Sequence, residues 1–157
     1  MAAGDIAGHA AAVYGESTPA ACGSLRAPAP VSAVIDVDFT VPCCPVDPFD
    51  FVRVLDAALY GSNRLAATSA LCGECSRNEG GCLYARGQMC LGLVTRAGCG
   101  ARCPALGRAC NGCAGLSPDA NVGAARAFAA SRGHVPERFD EALQMFNAVA
   151  LAAAGEE

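Results

Sequence analysis

The chain has no lysine; all eleven of its basic residues are arginine. It has no window near the ~18 consecutive apolar residues needed to span a bilayer, so no transmembrane segment is expected. No Gly-rich phosphate loop follows a strand pattern. Histidine is scarce. His9 and His134 lack an evident carboxylate or nucleophile partner, and His134, beside Pro136, reads as a surface residue at a helix start. No catalytic centre is therefore expected in the chain itself. A formal net charge of −4 disfavours nucleic acid, because phosphate binding needs a basic face. The first residues lack a basic n-region, and Asp5 and His9 interrupt their apolar run. They read as helix-forming rather than as a signal peptide, which makes the expected location cytoplasmic, where disulfides are rare.

Cysteine is what the chain has in excess. Eleven cysteines in 157 residues fall just under the ~8–10% density of a disulfide scaffold. The number is odd, which suits a complete disulfide framework poorly. Eight lie in one run, Cys72-x2-Cys75-x6-Cys82-x7-Cys90-x8-Cys99-x3-Cys103-x6-Cys110-x2-Cys113. A C-x2-C pair at each end lets two thiolates on one tight turn reach one metal centre. Eight ligands make two sets of four. Two cubane [4Fe–4S] clusters fit this pattern, with two zinc sites or disulfides as the competing readings. A zinc ribbon pairs its C-x2-C units across about 15–20 residues, and the interval here is longer and holds four more cysteines.

Charge favours clusters. Arg77, Arg86, Arg96, Arg102 and Arg108 lie within residues 70–117 and face only Glu74 and Glu79. The segment is +3, so the rest of a chain at −4 carries −7. Anionic thiolate clusters are stabilised by nearby cations and N–H donors. The five arginines are thus expected around the ligands. The many glycines of the segment let N–H groups approach sulfur.

Four regions are expected. Residues 1–30 form a helical start and a loop. In residues 31–69, Ile35, Val37, Phe39 and Val41 alternate with polar neighbours, which predicts a strand. A helix follows, with Asp47 as N-cap, Pro48 at its first position and Gly61 at its exit. Its apolar face is Phe51, Val54, Leu55, Ala58 and Leu59. Cys44 then sits between a strand end and a helix, where open α/β sheets place ligands. Residues 70–117 carry the cysteines and too few large apolar groups for a conventional core. Residues 118–157 form two helices, one over roughly 120–132 and one starting near Pro136. The second presents Phe139, Ala142, Leu143, Phe146 and Val149. The fold class is α+β, mostly helical and irregular.

The run from Cys90 through Cys99-Gly-Ala-Arg-Cys103-Pro to Cys110-Asn-Gly-Cys113 resembles the small subunit of cytoplasmic [NiFe] hydrogenases. The nearest types are the methyl-viologen-reducing hydrogenase gamma and sulfhydrogenase delta subunits, within the NADH:quinone oxidoreductase 20 kDa-subunit-like family. The upstream Val-Asp-Phe-Thr-Val-Pro-Cys-Cys44-Pro is similar to that family's strand and Gly-Cys-Pro turn. The resemblance extends from about residue 30 to the end. It implies a remnant of a flavodoxin-like domain, one strand plus a helix, followed by the cluster segment. It implies a medial cluster on Cys99, Cys103, Cys110 and Cys113 and a distal one on Cys72, Cys75, Cys82 and Cys90. Cys72 takes the place of a histidine found in many relatives. Cys44 matches the last ligand of a proximal cluster, which gives the chain a share in a third cluster. Cys43 stands where the family has glycine, and Leu93 where it has proline. Cys22 and Cys43 read as non-ligand thiols. The implied partners are a nickel–iron large subunit and a flavin- or iron–sulfur-containing acceptor. The other readings are a structural zinc-binding interaction module and a truncated, inactive member of the same family.

Overall fold

Asp47 starts the first long helix, α1 (Pro48–Tyr60), in the computed structural model, which describes residues 31–61, 67–76 and 79–154. The side chains of 33, 149, 150 and 152–154 lie outside that description. Asp47 accepts hydrogen bonds from the N–H groups of Phe49 (2.7 Å) and Asp50 (3.3 Å). Pro48 occupies the first turn, where its missing N–H leaves nothing unsatisfied. Gly61 ends the helix with φ 62°, and its N–H closes on the Ala57 carbonyl at 3.0 Å. These features match the sequence expectation. The helix does not, however, bury its apolar face. Phe51, Leu55 and Leu59 are exposed, and Asp50 is its buried residue.

The expected strand at 35–41 is absent. Ile35 is 58% exposed and Phe39 52%. Alternation makes a segment competent to pair, but a strand exists only when its N–H and C=O groups meet another strand. Among the described residues there is no sheet, only isolated antiparallel bridges at Ala70–Arg96 and Thr95–Leu116. Of the expected strand plus helix, the described residues show only the helix.

The cysteine segment is a set of short turns: α2 (Cys72–Cys75), 3-10 turns at Leu83–Arg86 and Leu91–Leu93, and α3 (Arg102–Ala105). Long-range backbone bonds tie them together, including Leu71 N–H to Thr95 O (2.8 Å) and Arg96 N–H to Gly115 O (2.9 Å). Two helices follow, α4 (Val122–Ser131) and α5 (Pro136–Ala154). Asn121 caps α4 through its side-chain oxygen, 2.8 Å from the Ala124 nitrogen. The turn to α5 passes through Gly133, φ 83°.

Phe139 and Leu143 of α5 are buried with Ala125 and Ala129 of α4. The same core takes in Tyr84, Leu91 and Val94 from the cysteine segment. The segment therefore shares a core with the helices rather than building one of its own. It contributes three large side chains to a core that the helix pair completes. The stripe on α5 also differs from expectation. Phe146 is largely exposed, whereas Asn147 is buried and donates to the Leu143 carbonyl at 3.0 Å. Positions 139, 143 and 147 face inward at a spacing of four. Val149 and residues 1–30 lie outside the described residues.

Candidate metal centre

Cys99, Cys103, Cys110 and Cys113 line one cavity of about 70 Å³, together with Cys44. Leu71, Thr95 and Phe146 are among the other residues of its wall. Three local features bring these thiols together. Cys103 lies on α3, Cys110 and Cys113 flank a tight turn, and Cys99 sits between glycines. Cys110 is the deepest, at 6% exposed. Its sulfur lies 3.5 Å from Thr95 Oγ1 and accepts from the Gly112 N–H at 3.4 Å.

Cys72, Cys75, Cys82 and Cys90 form a second neighbourhood. Burial pushes the Cys72 thiol up to about 11, with the negative charge of Cys90, Cys75 and Cys82 adding to it. A Cβ on Gly92 would stand 3.6 Å from both the Cys72 and the Cys90 sulfur, so the two thiols meet over one glycine. The neighbourhoods touch where the Cys110 N–H donates to Cys90 Sγ at 3.3 Å. Burial likewise pushes Cys110 up to about 11, against the pull of Thr95 and the Gly112 N–H. Both thiols are protonated at neutral pH, and a metal group must displace those protons.

The residues fit iron–sulfur clusters in their donor chemistry. The cavity thiols are soft ligands, and backbone N–H groups already point at two sulfurs. Among the described residues, no three His, Cys, Asp or Glu side chains converge on a single-ion site. A cluster of four irons and four sulfides is wider than one ion and takes its thiolates further apart. No disulfide joins any of the described cysteines.

The remaining residues singled out from sequence fall in different places. Arg102 pairs with Asp47, which joins α3 to the cap of α1 beside Cys44. Burial and the neighbouring Cys113 and Cys99 push the Cys103 thiol up, with Arg108 close enough to pull the other way. Arg86 donates to the Gly80 carbonyl, and Arg96 is half-buried, its Nε unpartnered among the described residues. Arg77 and Cys22 lie outside the described residues. Cys43 has φ 80°, a conformation glycine adopts without cost, which accounts physically for glycine at this place in the resembling family. Its thiol hydrogen-bonds to the Cys113 side chain, and burial pushes it up to about 12.

Sequence reasoning missed Glu74, Thr95 and Asn147 as parts of this site. Glu74 accepts from the Gly98 N–H (2.8 Å) and the Gly100 N–H (2.9 Å), clamping the Cys72–Cys75 turn to the turn of Cys99. In the sequence it counted only as an opposing charge, since its partners lie more than twenty positions away.

Gly112 combines φ 82° with a tight neighbour: a Cβ there would lie 3.0 Å from Asn147 Nδ2 and 3.4 Å from Leu91 Cδ1. Gly112→Ala is expected to cost about 2 kcal/mol through backbone strain and overpacking. Thermal unfolding measures this, and iron content after anaerobic loading should fall with it.

Two thiol-lined neighbourhoods in a frame of short turns, backed by a helix pair, define a small cysteine-rich unit whose donors are those of a thiolate metal site. Sulfhydrogenase 2 subunit delta of Pyrococcus furiosus is 40% identical to it over 111 residues, 70% of this chain and 46% of that protein. A vhu-type F420-non-reducing hydrogenase subunit of Methanocaldococcus jannaschii is 38% identical over 104 residues, 55% of this chain and 36% of that protein. The vhu-type subunit of the same name from Methanococcus voltae is 30% identical over 146 residues, 80% of this chain and 50% of that protein. No family model matches the chain. These relatives, at 30–40% identity, support a hydrogenase small-subunit-type family for this chain. It spans half or less of the length of each of these three.

Proposed function

We propose that this chain is the electron-transfer part of a hydrogenase-type oxidoreductase. In this reading it holds one [4Fe–4S] cluster on Cys99, Cys103, Cys110 and Cys113 and another on Cys72, Cys75, Cys82 and Cys90. The observation that carries the reading is the single cavity lined by the first four thiols. When bound, such clusters supply one-electron redox chemistry whose potential depends on charge, hydrogen bonds to sulfur and solvent access. The chain's own residues then have definite tasks. Leu71 and Phe146 wall the cavity and limit water. The Cys110 and Gly112 N–H groups neutralise thiolate charge, as does Arg108 beside Cys103. Cys44 enters the same cavity and is the ligand this span offers to a third cluster, completed by residues from elsewhere.

The partners in this reading are a nickel–iron large subunit, which activates hydrogen, and a flavin- or iron–sulfur-containing acceptor. The exposed apolar side of α1 suits a subunit contact. Among the described residues no helix is long and apolar enough to cross a membrane. We place the protein in the cytoplasm, where thiols stay reduced.

Anaerobic purification tests the reading. A brown protein with about eight irons, about eight sulfides and a reducible EPR signal is expected, four irons for each set of four cysteines. About twelve irons would add a completed third site. A colourless protein with two zinc ions overturns it in favour of a structural zinc module.

A further inference from the structure

We propose that the Tyr84 hydroxyl donates a hydrogen bond to the cluster held by Cys72, Cys75, Cys82 and Cys90 and raises its reduction potential. The inference rests on the cluster reading above. Tyr84 lies on the short turn that directly follows Cys82, six positions before Cys90. Its side chain is nearly sealed from water, at 6% exposed. Its ring is held edge-on by Phe128, centroids 5.0 Å apart, and by His134 at 5.6 Å. The phenol cannot swing out to solvent without breaking both contacts.

Despite that burial, the hydroxyl finds no acceptor among the described residues. The Cys90 N–H faces the phenol oxygen, but as a donor, so the phenol's own proton still lacks an acceptor. Burying an unsatisfied hydroxyl is unfavourable by about 1–3 kcal/mol, and phenylalanine would fill the same space without that penalty. An acceptor supplied after folding resolves the conflict. The sulfurs are groups at hand, beside the equally unpartnered Nε2 of His134. Cys90 packs against the core patch that contains Tyr84, and Cys72, Cys82 and Cys90 all act electrostatically on the phenol. A hydrogen bond to sulfur stabilises the reduced, more negative cluster more than the oxidised one, so it raises the potential. Tyr84 is thus a positioning residue that links the helix pair to one cluster and sets its poise.

The test uses the full chain, loaded anaerobically, with iron and sulfide counts and an EPR-monitored redox titration. Tyr84→Phe keeps the ring and removes only the donor. It is expected to retain full iron while one of the two clusters becomes about tenfold harder to reduce at a fixed potential, ~59 mV for one electron. The other cluster should not move. Site-specific 3-fluorotyrosine at position 84, a stronger donor, should shift the same cluster the opposite way. Full iron with no shift in either variant overturns the role of Tyr84 and leaves the cluster reading intact. A wild-type chain that takes up no iron and sulfide overturns both. Should Tyr84→Phe fail to load, the fluorinated chain alone decides: an upward shift supports the proposal and an unchanged potential sinks it.

Discussion

Under the proposed two-cluster reading, Cys110→Ala is expected to halve the iron content, from about eight to about four per chain, and to remove one of two EPR species. Cys110 is the most deeply placed thiol of the cavity, and its sulfur already has Thr95 Oγ1 and the Gly112 N–H beside it. The division into two sets is the sharper question, because Cys110 also touches the other neighbourhood through Cys90. A double variant resolves it. If Cys99 and Cys110 serve one cluster, Cys99→Ala with Cys110→Ala retains about four irons, as each single change does. If they serve different clusters, the double variant retains none. Cys44→Ala provides the contrast: it lines the same cavity but stands outside the set of four, so iron should stay at about eight. Loss of four irons in Cys44→Ala would mean that the cavity draws its ligands from a different four of its five thiols.

What could be read in the sequence follows the range of the interactions involved. The caps of α1 were legible because Asp47, Pro48 and Gly61 act on N–H and C=O groups within four residues. The ends of α4 and the start of α5 were legible for the same reason. The strand at 35–41 was not, because alternation records only that one face is apolar. Whether that face pairs depends on a partner strand, and the described residues provide none. The eight thiols could be listed from spacing, yet their grouping depends on turns that meet across the segment. Glu74 reaching Gly98 and Gly100 leaves no periodic trace, nor does Arg102 reaching Asp47. Tyr84 carries no signal in the sequence. Only its burial, together with the missing acceptor for its hydroxyl, gives it meaning. On α5, helical periodicity favoured Phe146 over Asn147 by hydrophobicity, whereas the register set by Phe139 and Leu143 turns the amide inward against Gly112.

Phe139→Ala should destabilise the chain by about 3–5 kcal/mol, the range for deleting a fully buried aromatic side chain. Phe139 is 0% exposed and packs in the core that contains Ala125 and Ala129 of α4 and Tyr84, Leu91 and Val94 of the cysteine segment. Small domains are stable by only about 5–15 kcal/mol, so this one change removes a large share of the total. The consequence for the metal site follows from the shared core. Leu91 lies next to Cys90 and accepts the Thr95 hydroxyl at its carbonyl, while its N–H donates to the Cys110 carbonyl. A cavity under Leu91 therefore loosens the point where the two thiol neighbourhoods touch. Urea unfolding of the loaded chain, followed by far-UV circular dichroism and by visible absorbance, should show both signals falling together at a much lower midpoint. Met145→Ala is the control: that side chain is 51% exposed and lies outside the thiol cavity, and its loss should cost under about 1 kcal/mol. If Phe139→Ala shifts the helical signal but leaves the absorbance transition in place, the helix pair and the thiol segment are independent units. The single core joining Tyr84, Leu91 and Phe139 argues that they unfold as one.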